Sequence, residues 1–199
     1  MRFSPEPEDA DPARFEPVAA AFRNALIEAI YVGLRDAPLE DARREALTIA
    51  ILLEICETLY GADPVEGRGG AVYPRVMLAT STEAREAIVA ADAKPQFVEN
   101  ASFCEGARTD LLRAFIAIID DRLNECEIWP PASIPIVSRI AEGVCAAIGG
   151  DTFMPTPLGD IAPLLGFARE PEAAEATIAG GASWTREDIA SAVEAYFDL

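Results

Sequence analysis

Carboxylates are the groups with which this chain could do chemistry. Glu54-x-x-Glu57 and Glu83-x-x-Glu86 each place two acids one helical turn apart, with 25 residues between the pairs. Two such pairs on adjacent helices would offer the hard oxygen ligands that Mg²⁺ takes. Asp120-Asp121-x-x-x-Glu125 has the crowding of an aspartate-rich metal motif. The competing explanation is simple: the chain carries 34 acids, and helix starts and solvated faces collect them. Gly67-Arg68-Gly69-Gly70 invites comparison with a phosphate-cradling loop. It lacks the preceding strand and the following Lys-Ser/Thr, so it reads as a flexible loop.

The composition removes much else. Histidine is absent, which excludes Ser-His-Asp and Cys-His nucleophilic catalysis and carboxylate-histidine metal sites. One lysine, Lys94, stands beside fifteen arginines. The formal charge of −18 argues against a nucleic-acid partner and against an anionic membrane surface. Cys56, Cys104, Cys126 and Cys145 contain no CxxC pair. Three of them fall on apolar helical faces, where free cysteine behaves as a small hydrophobe, so no metal or other cofactor is expected. The first fifteen residues hold no apolar run of the signal-peptide kind, and no stretch approaches a membrane span. A cytoplasmic protein with reduced thiols is the expectation.

The spacing of the paired glutamates resembles the all-α nucleoside-triphosphate pyrophosphohydrolases of the MazG type, which carry ExxE and then ExxD on adjacent helices. The resemblance implies a Mg²⁺-dependent hydrolase using Glu54, Glu57, Glu83 and Glu86, with Glu86 where that family has aspartate. It rests on these four positions alone.

The elements that must position these groups are helices. From Ala46 to Cys56 only Thr48 and Glu54 are not apolar, which predicts a central helix over Pro38 to Gly61 with a narrow polar stripe of Arg43, Ala50, Glu54 and Glu57. A preceding helix from about Pro17 to Arg35 shows one buried stripe. A second core helix spans about Arg108 to Glu127. Its apolar residues, from Leu111 to Cys126, spread widely around it. The cleanest period is Val137, Ile140, Ala141, Val144, Cys145 and Ile148, which predicts a one-sided helix from Ile134 to Ile148. Shorter helices are expected at Thr82 to Ala93 and Thr156 to Ala168, and an extended stretch, perturbed by Pro74, at 71–79. The fold class is therefore all-α: a compact bundle of about six helices around two central apolar ones, with at most one short edge strand. Residues 1–14 read as a mobile acidic arm, 15–168 as a helical core domain, 169–182 as a linker and 183–199 as a C-terminal amphipathic helix. Ile55 to Gly61 faintly echoes Val144 to Gly150, each with an aromatic near proline beyond it (Tyr73-Pro74; Phe153-Met154-Pro155). The unequal gaps argue for coincidence.

By exclusion, the sequence favours a non-catalytic protein-binding or assembly protein, an adaptor, over the MazG-like hydrolase. A third reading is an acidic decoy for a basic protein. The expected partner is a protein or a second copy. The expected contact is the apolar face of Trp184, Ile189, Val193, Tyr196 and Phe197, which must bury itself on its own core or in trans.

Overall fold

The computed structural model describes residues 12–60, 63–67, 70–79, 101–149, 162–168 and 186–197. In order these form α1 (Pro12–Leu34), α2 (Asp41–Tyr60), β1 (Tyr73–Ala79), α3 (Ala101–Glu125), α4 (Ser133–Gly149), β2 (Ala162–Ala168) and α5 (Arg186–Phe197). Of the described residues 73% are helical. The helix expected at Thr82 to Ala93 and residues 1–11 of the expected acidic arm lie outside them, whereas residues 12–14 of that arm are the first of α1.

Local chemistry sets the helix boundaries. The Glu40 carbonyl accepts the first free amides of α2, from Arg43 and Arg44, at 3.0 and 2.9 Å. Arg44 then ties the entrance by donating to Leu39 O at 2.9 Å and to the Asp41 carboxylate. Thr48 is fully buried, and its hydroxyl donates back to Arg44 O at 2.8 Å, which satisfies it inside the core. At its far end α3 closes with Ile128 N–H on Leu123 O and Glu127 N–H on Asn124 O, both 3.0 Å. Glu127 takes φ +62° there, the left-handed position usually filled by glycine.

The centre of the bundle is α2, which packs on α1, α3, α5 and β1. Leu47, Ile51, Leu52, Ile55, Cys56 and Leu59 are all buried on it. α3 is less central than its composition suggests. Leu111, Phe115, Ile119 and Leu123 face the core, but Leu112 and Ile116 remain 36% and 40% exposed. On α4 the expected stripe is buried, except that Cys145 is half-buried.

One expectation is overturned. The C-terminal part of the helix expected at 156–168 is a strand, so the sheet has two strands rather than at most one. β1 and β2 run antiparallel over seven pairs, from Tyr73 opposite Ala168 to Ala79 opposite Ala162. Pro163 lacks the helical donor and Gly166 weakens a helix, while β1 offers a whole ladder in exchange. Each strand tolerates its proline because a two-stranded sheet consists of edges.

The fold also repeats itself. α1 and α3 start 89 positions apart, α2 and α4 end 89 apart, and β1 and β2 start and end 89 apart. The buried positions follow the same offset: Phe22 and Leu111, Leu26 and Phe115, Ile30 and Ile119, Leu34 and Leu123, Ile51 and Ile140, Ile55 and Val144, Leu59 and Ile148. The ladder is centred on Val76 opposite Leu165, which are themselves equivalent positions. A strand meeting its own counterpart antiparallel is what a two-fold axis produces. The chain thus folds as two helix–helix–strand halves about a pseudo-two-fold axis, and α5 is added to the first half. The echo between Ile55–Gly61 and Val144–Gly150 has this same offset. The aromatic-proline match obscured it, because the counterpart of Tyr73 is Ala162 and not Phe153.

Candidate functional site

The pseudo-symmetry gives each candidate residue a counterpart, and the comparison separates structural roles from unexplained ones. Glu54 of α2 is ion-paired with Arg122 of α3, which also donates to Glu125 at 2.7 Å. The counterparts of Arg122 and Glu54 are Gly33 and Gly143. These glycines mark the crossing of α1 and α4. A Cβ on Gly33 would lie 2.1 Å from Ile140 Cγ1, and one on Gly143 would lie 3.0 Å from Ala29 Cβ. One crossing is closed by removing side chains; its twin is spanned by two long charged ones. Glu54 therefore has a packing role that explains its identity.

Glu57 is exposed on the next turn. Glu83 and Glu86 lie outside the described residues, so the four-carboxylate constellation is not brought together here. Among the described residues, no three Asp, Glu, Cys or His side chains converge to hold a metal ion. Asp120 accepts from Ser133 Oγ at 3.3 Å and from Asn124 Nδ2 at 3.4 Å, which links α3 to the start of α4. Asp121 is exposed, and Glu125 serves Arg122. The aspartate-rich motif is a helix end stitched to its neighbour.

The flanks of the glycine-rich segment are drawn together. Val65 and Val72 exchange both backbone hydrogen bonds, at 2.7 and 3.0 Å, and Gly70 N–H donates to Gly67 O at 3.1 Å. Gly70 has φ +98°, and Gly67 lies so close to Asp110 that a Cβ would meet its carboxylate at 2.0 Å. An open cleft of about 500 Å³ lies beside this turn. It is lined by Glu57 and Thr58 of α2, residues 63–66, and Asp110, Arg113 and Ala114 of α3. Arg113 donates to the buried Asp110 at 2.7 Å. Four carboxylates and one guanidinium give the cleft an acidic lining.

Burial works against thiolate formation at Cys56 and Cys145. Cys56 is buried, and the loss of hydration pushes its thiol up to about 12, with the Arg23 charge pulling weakly the other way. Burial also raises Cys145. Cys126 is free and half-buried, and the side chain of Cys104 is outside the described residues.

The expected partner-binding face divides. Ile189 and Val193 are buried, 1% and 0% exposed, in the common core, with α5 packed on α2 and α1. In this conformation these two side chains are occupied in cis and present nothing to a partner. Trp184 lies outside the described residues, as do the side chains of Tyr196 and Phe197.

Sequence reasoning missed the second half's surface. Leu112, Ile116, Trp129 and Ile134 are the large apolar side chains exposed among the described residues, and all belong to α3, the corner after it and the start of α4. In the first half the counterparts of Leu112 and Ile134 are Arg23 and Glu45, and that of Ile116 is the fully buried Ile27. The signal was available only through the 89-residue offset. No protein-family model matches the chain. No curated protein and no solved structure matches it significantly.

Proposed function

We propose that this chain is a non-catalytic protein-binding and assembly protein, an adaptor that presents the outer side of its second half to a protein partner. The observation that carries this reading is the segregation of exposed apolar side chains. Leu112, Ile116, Trp129 and Ile134 lie on one half of a pseudo-symmetric bundle, and three of them stand where the other half has the charged residues Arg23, Glu40 and Glu45. Large apolar side chains, tryptophan above all, dominate the centres of protein interfaces, whereas a bundle that only stays dispersed gains nothing from them. The packing role of Glu54 weighs on the same side, because its pairing with Arg122 accounts for an acid that the MazG-like hydrolase would need. No described helix is long and apolar enough to cross a membrane.

The test is site-specific photo-crosslinking in cells, with a benzophenone side chain placed at Trp129, at Ile134 and, as a control, at Asp63. A discrete protein adduct is expected at 129 and 134 and not at 63. Absence of adducts at both apolar positions would refute the reading. The MazG-like alternative is decided separately. Millimolar Mg²⁺ would raise the melting temperature, as any ligand of the native state does, and nucleotide turnover would be lost in Glu57→Gln. The acidic decoy remains a second reading, favoured by the lining of the cleft. It requires adducts at Asp63 instead.

A further inference from the structure

The β1–β2 ladder cannot tell one half from the other, because its central pair, Val76 and Leu165, are equivalent positions. The helix crossings between the halves can. Where α1 meets α4, Gly33 makes room for Ile140 and Gly143 makes room for Ala29. At the twin crossing of α2 and α3, Arg122 stands in place of Gly33 and Glu54 in place of Gly143, and the two form an ion pair. The first half thus brings one glycine and one acid to the crossings, and the second brings one glycine and one base. Glycine meets glycine, and acid meets base, only when a first half packs on a second half.

We propose that Gly33, Glu54, Arg122 and Gly143 determine the specificity of pairing between halves, so that the first half accepts the second half of another copy but not its first half. Two first halves packed about the same axis would set Glu54 against Ala29 at both crossings. At the equivalent position, Gly143, even a methyl group would meet Ala29 Cβ at 3.0 Å. Neither Glu54 carboxylate would have Arg122 to pair with. Two second halves would drive Arg122 into Ile140 twice, in the space that Gly33 leaves by lacking a side chain. Ile140 is fully buried, so it has nowhere to withdraw. Each like pair therefore combines overpacking with an unpaired charge drawn into a close crossing, and both oppose association. The unlike pair repeats the contacts of the monomer between two molecules. These residues lie on the inner surfaces of the halves, so the outcome is independent of what the exposed apolar side chains bind.

The test uses two full-length variants, Val76→Cys and Leu165→Cys, mixed in equal amounts, unfolded, and refolded at high concentration. Directly opposed positions of an antiparallel ladder lie close enough for a disulfide, so mild oxidation records which halves have met. Mass mapping of the adducts separates the engineered pairs from any formed by the native cysteines. The 76–165 adduct between molecules is expected at least about tenfold above the 76–76 and 165–165 adducts. Adding Glu54→Gly to the Val76→Cys chain gives its first half both glycines of the α1–α4 crossing. Its 76–76 adduct is then expected to rise severalfold. Glu54→Ala, a milder change, is expected to act in the same direction, and circular dichroism checks that both variants fold. Like and unlike adducts in comparable yield overturn the proposal. So do 76–76 adducts that neither change at Glu54 raises. Absence of any adduct between molecules also overturns it, since the surface would then admit no second copy.

Discussion

The crossing of α1 and α4 allows a pair of glycine substitutions to be predicted in opposite senses. Both Gly33 and Gly143 sit inside helices, where alanine is intrinsically better than glycine by about 1 kcal/mol. At Gly33 the new methyl would lie 2.1 Å from Ile140 Cγ1 and 3.2 Å from Ile140 Cα. Ile140 is fully buried and β-branched, so its side chain has little rotamer freedom, and the backbone behind it limits retreat. Overpacking of this kind costs about 1–3 kcal/mol, and an approach of 2.1 Å to a buried side chain places it in the upper part of that range, about 2–3 kcal/mol, which leaves Gly33→Ala destabilised by about 1–2 kcal/mol after the helix term. At Gly143 the methyl meets Ala29 Cβ at 3.0 Å and Ala29 Cα at 3.4 Å, so a shift of a few tenths of an ångström relieves it. There the two effects offset, and Gly143→Ala is expected within about 0.5 kcal/mol of the parent. Urea unfolding followed by circular dichroism measures both, with the midpoint moving and the slope constant for a pure stability change. For a chain of this size the Gly33 variant should also melt about 2–8 °C lower. If Gly33→Ala is neutral while Gly143→Ala is destabilising, the account of this crossing is wrong.

Glu127→Gly relieves a left-handed residue at the end of α3 and is expected to be neutral or to stabilise by up to about 1 kcal/mol, measured in the same titration. Glu57→Gln alters an exposed side chain and should change stability by less than about 0.5 kcal/mol. Cys56 should resist iodoacetamide in the native protein at pH 8 and react only on unfolding. Its raised value also gives stability a pH window. The unfolded thiol loses its proton above about 9 while the folded one holds it to about 12, so the unfolded state binds fewer protons there. This contribution is complete below pH 9 and lost between 9 and about 12. Cys56→Ser, with an unshifted hydroxyl, should show a smaller alkaline loss.

The helices were legible because their apolar residues recur with a helical period, and α2 was read as central from an apolar surface that wraps most of its circumference. The position of α2 bears this out, with neighbours on several sides. β2 was not legible. Leu164, Leu165 and Phe167 support a helix as readily as a strand, and only the presence of β1 decides between them. Glu54 looked like half of a ligand pair because sequence spacing shows the carboxylate and not Arg122, 68 positions away. The exposed pair on α3 was hidden for a related reason: Leu112 and Ile116 are indistinguishable from core residues by period alone. Their exposure depends on what lies across from them, and that information is carried by tertiary structure.

The pairing of β1 with β2 has a consequence for how the chain reaches its fold. The helical hairpins α1–α2 and α3–α4 join neighbours in sequence and close small loops, which favours early formation. The ladder joins residues 83 to 95 positions apart and must wait until both hairpins have been brought together, because its loop-closure entropy is paid before any strand contact is gained. During that interval each half holds one strand with no partner in its own half. Since the ladder matches equivalent positions across a pseudo-two-fold axis, the surface β1 presents to β2 resembles the one it presents to β1 of another molecule. Refolding at high concentration therefore favours exchanged dimers joined strand to strand, and dilution favours the closed monomer.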